Sequence, residues 1–598
     1  MCGIAGCFGI GKARPDEKTV AAVFDAIRER GPDACGRWSD PDASLLLLHR
    51  RLSIRDLSDT GAQPMFSTGG RYAIVFNGEI YNADDLRARV PEYRFVGTSD
   101  TECILALYEA YGAEMLPMLR GMYAFAIWDT VEKSLFLARD PYGIKPLYVT
   151  RTQDGIWFAS QVKALLPVPG VDLSPSPTGH AGFFLWGSVP EPYSLYRGIH
   201  SLRAGHAMWL KAGSEQVRVT QFASLAQSFA AGAEQAEAAT QNAIQDAIRE
   251  ALHESVRMHF ISDVPVAVFL SAGLDSSTIL GIASDTLPAE QLHALTLGFD
   301  VYAHTANSET EEAALIARHY GIPHRVHEVS QADFAAAADS FLQSMDQPTI
   351  DAINTYFVAK MAREAGFKVA LSGVGGDELF GGYNSFQQIP RLLGWSSRLP
   401  VPHGLGVLFR KMSEPFFARL TSPKYAGVLE YSRSIQDVYL LRRGLYMPWE
   451  LPEVLDTDLA LAGLAELGED EYERKEFALV KGCSLHAQVA YLESTRYLRN
   501  QLLRDSDWAG MAHSVEIRTP LVDFSLLQRL AGLLASAHPP GKQRMAATPA
   551  VALPRQILER KKTGFTVPIR DWLVASQPEK PERGLRSWAK FVYQSQWR

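Results

Sequence analysis

Residues Val264–Leu287 read VPVAVFLSAGLDSSTILGIASDTL. A β-branched apolar run stops at a turn of small residues, and apolar residues then recur at helical spacing. This predicts a strand over 264–270, a turn at SAGLDSS (271–277) and a helix beyond it. The same alternation continues downstream. HALTLGF (293–299) reads as a strand, ETEEAALIARHYG (309–321) as a helix, PHRVHEVS (323–330) as a strand and KVALSG (368–373) as another. Apolar strands alternating with helices predict an α/β unit with a parallel, doubly wound sheet. Such sheets bind ligands at the carboxyl ends of their strands. Beyond Gly382 the pattern is mostly helical.

Toward the amino terminus, 243–259 reads as an amphipathic helix, preceded by the low-complexity stretch SLAQSFAAGAEQAEAATQNA (224–243). Its alanine and glutamine content predicts a linker that runs into that helix. The first 200 residues are different. SLLLLH, YAIVFNG, YAFAIWD, SLFLARD and GIWFAS are short apolar stretches separated by turns, with helices expected around 20–30 and 101–111. They predict an all-β or α+β unit. The expected domains are 1–210 and 243–598, with 211–242 between them.

At 598 residues the chain exceeds what one hydrophobic core holds. Its net charge of −8 and lack of a long basic run argue against a nucleic-acid partner. The five cysteines, Cys2, Cys7, Cys35, Cys103 and Cys483, are odd in number and form no CxxC pair. A disulfide framework or structural zinc site is not expected, and a reducing, cytoplasmic setting is. The start MCGIAGCFGIGK lacks the pattern of a signal peptide. No 18-residue apolar run occurs, so neither a membrane span nor a membrane partner is expected.

Cys2 has a specific chemical meaning. Removal of Met1 would place a free α-amine beside the thiol. An α-amine with a pKa near 8 can act as base for its own side chain, so the nucleophile needs no histidine. An incidental buried cysteine is the plainer reading of Cys2 alone. Around it stand CGIAG, ERGPD (29–33), HRRLSIRD (49–56), GAQPM (61–65), FNGEIYN (76–82), GTSDTE (97–102) and RDPYGIKPLY (139–148). In these motifs and their order the segment resembles the class II, N-terminal-nucleophile glutaminases of the asparagine synthetase family. The resemblance implies an αββα sandwich of antiparallel sheets. It implies that Arg51 offers a fork to the glutamine α-carboxylate and that Asp100 pairs with the α-ammonium. Leu52, Ser53, Ile54, Arg55 and Glu79 would line the pocket. Asn77 and the Gly78 N–H would form the oxyanion hole, each donor typically contributing about 3 kcal/mol. Gln161 departs from the family's usual SE and leaves a local ion pair in question.

SAGLDSS has the strand–loop–helix setting that brings backbone N–H groups to phosphate, without the GK[ST] ending of a Walker A loop. It resembles the SGGLDSS loop of ATP pyrophosphatases, with Ala272 in place of glycine. That loop suits cleavage of ATP to AMP and pyrophosphate. A magnesium ion would be held by Asp275 and by Asp377 of SGVGGDELFGGY (372–383). The resemblance places Leu270, Ser271, Gly273, Ser276, Leu297, Ser372 and Gly373 about the nucleotide, and gives Lys562 of RKKTGF a charge-stabilising role. LRDSDWAGMAHSVEIRTPLVD (503–523) extends the likeness.

Val374 is the consequential departure: the family carries glutamate here (SGEGxDE). Valine cannot accept a hydrogen bond, act as a base or orient an ammonium. The favoured expectation is asparagine formation from glutamine, aspartate and ATP, with a homodimer expected from the resemblance alone. The alternatives are amidation of another carboxylate (a sugar acid, peptide or secondary metabolite) and a non-catalytic scaffold that keeps the fold.

Overall fold

A computed structural model describes residues 2–9, 15–40, 45–214, 216–235, 240–302, 305, 308–396, 401–420, 422–560, 572 and 584–597. The amino-terminal half contains twelve strands: β1 (Gly3–Gly9), β2 (Ala34–Asp40), β3 (Leu45–Arg51), β4 (Met65–Phe66), β5 (Tyr72–Ile80), β6 (Gly121–Asp129), β7 (Ser134–Arg139), β8 (Tyr148–Arg151), β9 (Gly155–Ala159), β10 (Ile199–Ser201), β11 (His206–Lys211) and β12 (Arg218–Gln221). They form two six-stranded sheets, ordered β10-β8-β9-β1-β3-β2 and β12-β11-β7-β6-β5-β4. Every pairing within them is antiparallel.

The layering follows from the two-residue period of the strands. On β1 and β3, Ile4, Phe8, Leu45 and Leu47 face Ala73, Val75, Ala124 and Ala126 of the other sheet. The alternate residues Ala5, Cys7, Leu46 and Leu48 face outward and are covered by Val20 and Val23 of the Glu17–Ala26 helix. On the far side, Ile74, Phe76 and Phe125 pack under Ile104 and Leu105 of the Asp100–Tyr111 helix. The result is four layers, helix–sheet–sheet–helix, as the resemblance implied.

The second half is built on β13 (Val266–Phe269), β14 (His293–Phe299), β15 (His324–Val329), β16 (Val369–Leu371) and β17 (Glu516–Arg518), ordered β15-β14-β13-β16-β17 and all parallel. The order reverses between β13 and β16. The crevice beyond their carboxyl ends is therefore a topological switch point, where ligands bind in such sheets. The loops 271–277 and 372–377 both emerge there. Within 211–242, read from the sequence as a linker, the structure holds β12 and the Leu225–Glu234 helix. That helix buries Leu225, Ala226 and Phe229 in the same core as Leu526, Leu527 and Leu530 of the Phe524–Ala535 helix. Alanine-rich composition conceals this apolar stripe.

Candidate active sites

Cys2 lies at the mouth of β1, one residue before the first strand. Its backbone N–H donates to Asn77 Oδ1 at 3.0 Å, which ties the nucleophile to β5 of the opposite sheet. Asn77 Nδ2 is buried and has no hydrogen-bond partner among the described residues. A buried amide donor left open beside a thiol suits an anion that is present only during reaction. Gly78 follows it, and a Cβ there would meet the Met122 carbonyl oxygen at 2.2 Å, so β5 can lie against β6 only with glycine at this position. Burial pushes the Cys2 thiol up, while a hydrogen bond from the Leu52 main chain pulls it down. A thiol raised in this way needs a base to become a nucleophile.

Around the nucleophile, the 52–55 segment is pinned by Asp33, whose carboxylate accepts from the Ser53 N–H at 2.7 Å. Leu52 and Ile54 are buried. Arg51 donates to the carbonyl oxygens of Ser58 (2.9 Å) and Asp56, so two of its nitrogens hold the adjacent turn. Asp100 accepts from the Ile80 N–H at 2.9 Å. Burial raises its pKa, and Arg55 is the largest opposing influence. Arg55 also donates to Glu79 at 3.4 Å. The structure therefore brings Cys2, Arg51–Arg55, Asn77–Glu79 and Asp100 together.

This site is wired to the second half. Glu79 accepts from Arg518 of β17 at 3.0 Å, and Arg518 also binds Glu516 at 2.6 Å. Burial and Asp100 push Glu79 up. Glu516 is held down at about 2 against burial by the terminal ammonium, Arg518 and Lys145. The ERGPD motif makes three further crossings. Arg30 Nε donates to the Cys2 carbonyl oxygen at 3.1 Å, while its two terminal nitrogens grip Asp507 at 2.7 and 3.0 Å. Ser514 Oγ donates to the Glu29 carbonyl oxygen at 2.6 Å, and Lys368 pairs with Asp33 at 2.7 Å. Sequence reading found this motif but not its partners, because Asp507 lies 477 residues from Arg30.

At the switch point lies a cavity of about 790 Å³. Leu270, Ser271, Gly273, Asp275, Ser276, Leu297, Ser372, Gly373, Val374 and Asp377 all line it. Close approach explains the glycines: a Cβ on Gly373 would meet the Ser276 nitrogen at 2.8 Å, and one on Gly376 would meet Asp275 Oδ1 at 2.5 Å. Ala272 does not adopt a positive φ, and its methyl is buried, so alanine is accommodated in the loop. Lys562 lies outside the described residues.

Asp275 and Asp377 share the Lys542 ammonium, which touches Asp275 and lies 2.9 Å from Asp377. Together the two carboxylates hold Lys542 in its charged form against burial. Nothing in GKQRM signals this role, since a lone lysine after glycine is common in helices and loops. The position is thus suited to positive charge. Among the described residues no group of three or more His, Cys, Asp or Glu could hold a metal. A divalent ion between Asp275 and Asp377 would complete its shell with phosphate oxygens and water. Deeper in the cavity, Asp505 accepts from Trp508 (2.9 Å) and Thr349 (2.8 Å), and burial followed by Asp351 pushes it up to about 8. Glu378 is pushed to about 8 by burial and Asp377, and its Oε2 has no hydrogen-bond partner among the described residues. Val374 packs against the main core and presents no polar atom to this acid-rich wall beyond its backbone.

A thiol beside an open buried amide, joined through buried ion pairs to a parallel-sheet nucleotide crevice, defines the chain as a glutamine amidotransferase coupled to an ATP-using synthetase. The glutamine amidotransferase domain model matches residues 1–223 and the asparagine synthase model matches 247–588. The chain belongs to the asparagine synthase family. It is 31% identical to asparagine synthetase [glutamine-hydrolyzing] 1 of Bacillus subtilis, over 96% of this chain and 88% of that protein. A putative asparagine synthetase [glutamine-hydrolyzing] of Mycobacterium tuberculosis is also 31% identical, over 96% and 89%. Asparagine synthetase B [glutamine-hydrolyzing] of Escherichia coli is 33% identical, over 65% and 66%. Among the described residues no helix is long and apolar enough to cross a membrane.

Proposed function

We propose that the chain makes asparagine: glutamine supplies ammonia, ATP adenylates the aspartate side-chain carboxylate, and ammonia displaces AMP. The single observation that carries the coupling is Arg30, which binds the Cys2 carbonyl oxygen and Asp507 of the synthetase half at once.

The Cys2 sulfur attacks the glutamine carboxamide carbon, and its proton passes by way of the α-amine to the leaving nitrogen. Asn77 Nδ2 and the Gly78 N–H receive the oxyanion, ammonia leaves, and water releases glutamate from the thioester. Arg51 and Asp100 orient the glutamine α-carboxylate and α-ammonium. In the second site a carboxylate oxygen attacks the α-phosphorus, and pyrophosphate leaves. The 271–277 N–H groups, Lys542 and the Lys562 segment are suited to that leaving group. A magnesium ion held by Asp275 and Asp377 would neutralise charge on the phosphates. Ammonia then attacks the acyl carbon and AMP departs. Asp351 and Asp505 are suited to the acceptor's α-ammonium. The domain bounds 1–210 and 243–598, a homodimer and a cytoplasmic setting belong to the same proposal.

Measurement of AMP and pyrophosphate release with aspartate and either glutamine or ammonium tests this. Both nitrogen donors should support AMP formation, and Cys2→Ala should abolish only the glutamine-dependent part. Release of ADP instead would refute the scheme.

Val374 favours a second reading, amidation of another carboxylate. A screen of sugar acids and peptides decides it. If aspartate is the acceptor, Val374→Glu should raise aspartate-dependent turnover. A decline, together with faster AMP formation on another acid, would favour the second reading.

A further inference from the structure

The His403–Leu420 helix turns its main apolar stripe outward. Leu405, Leu408, Phe409, Met412 and Phe416 follow i, i+3, i+4, i+7, i+11 spacing and make one stripe, and all five are exposed, Met412 by 75% and Phe416 by 63%. The opposite side, which packs on the protein, carries Gly406, Val407 and Phe417 together with the charged Arg410 and Glu414. There Arg410 pairs with Glu430 at 2.7 Å, and Glu414 accepts from Trp449 Nε1 at 3.2 Å. Folding normally buries the apolar stripe. Here it is turned outward, and Trp395 at the end of the Ser385–Ser396 helix is exposed as well. A contiguous apolar face of this kind on a folded protein marks a contact surface.

Charge identifies the partner. Between 385 and 433 the sequence carries seven bases (Arg391, Arg398, Arg410, Lys411, Arg419, Lys424, Arg433) and two acids (Glu414, Glu430). Both acids are part-buried and engaged as described, whereas Arg391, Lys411, Arg419 and Arg433 are exposed. Lys424 is turned inward onto the Arg442 and Gly444 carbonyl oxygens, so the exposed charges that the helix itself carries beside its apolar stripe are Lys411 and Arg419, both basic, on a chain whose net charge is −8. An exposed apolar helix face flanked by Lys and Arg is the signature of a helix that lies in the surface of an anionic bilayer. A self-paired stripe would bring like charges together across the interface.

We propose that the His403–Leu420 helix docks the enzyme on anionic lipid surfaces, with its apolar stripe in the interface and Lys411 among the headgroups. The contact is peripheral and independent of which carboxylate the enzyme amidates.

The test uses the full-length protein with phosphatidylcholine vesicles, with and without phosphatidylglycerol, in a flotation assay. Binding should require phosphatidylglycerol and fall with salt. Lys411→Gln should weaken it about fivefold, the equivalent of about 1 kcal/mol per basic residue. Leu408→Glu/Met412→Glu should abolish it while leaving ammonia-dependent AMP formation and the thermal midpoint unchanged. Absence of flotation with anionic vesicles overturns the proposal, as does full binding by the double variant. So does a dimer that light scattering shows to dissociate in the double variant, without vesicle binding by the wild type, because the stripe would then join two copies of the chain.

Discussion

Asn77→Asp is the sharpest perturbation of the glutaminase site. The replacement is nearly isosteric and keeps an oxygen to accept from the Cys2 N–H, a 3.0 Å contact that orders the nucleophile. It removes only the Nδ2 donor, the buried group that has no described partner in the resting structure. Loss of one oxyanion donor raises the barrier by about 3–4 kcal/mol, or roughly 10²–10³ in kcat. The new carboxylate would also repel the developing oxyanion, so the upper end is expected. The assay compares glutamate release with AMP formation from ammonium in the same preparation. Glutamate release should fall by about 10³ with a small change in KM, since the ground-state amide makes little use of this donor, and ammonium-dependent AMP formation should be retained. A loss below tenfold, or an equal loss in both assays, would refute the oxyanion assignment.

Asp507→Asn should leave the buried Arg30 without its ion-pair partner, a change worth about 3–5 kcal/mol when one side of a buried pair is removed. Scanning calorimetry should show a lower midpoint, and glutamine-dependent synthesis should fall more than ammonium-dependent synthesis. Lys542→Met should lower the thermal midpoint in EDTA by removing the ammonium that Asp275 and Asp377 share, with recovery on adding magnesium. The same midpoint with and without magnesium would count against a cation position there. Glu191 is buried, and Arg139 and then Arg499 overcome that burial to hold it at about 2, against about 4.3 unfolded. Its folded pKa is depressed, so its stabilisation, on the order of 3 kcal/mol, is complete above about pH 4.3 and is lost as pH falls toward 2. The midpoint gap between wild type and Glu191→Gln should be widest near neutral pH and narrow below about pH 4.

Much was legible locally. Strand alternation at 264–299 and the turn SAGLDSS carry their own periodicity and small residues, so the parallel sheet and its loop could be read without a fold. Cys2, Asn77 and Gly78 were legible through their motifs. The site's cation was not. Lys542 lies 267 residues from Asp275, and only the packing of the 542–546 helix against the Leu274–Thr286 helix brings its ammonium between the two carboxylates. The Leu225–Glu234 helix was hidden because its composition resembles a linker until Phe229 finds the Phe524–Ala535 helix.

The sequence by itself determined the two chemistries, because a nucleophile, an oxyanion donor and a phosphate loop each depend on a few neighbouring residues in a local backbone shape. Only the tertiary structure decided how they are joined. The Arg30–Asp507 and Glu79–Arg518 pairs span hundreds of residues, and a buried charge must find its counter-ion in space rather than along the chain. The outward turn of the 405–416 stripe was decided the same way. Periodicity shows that a helix has an apolar face, and only packing shows which way that face points.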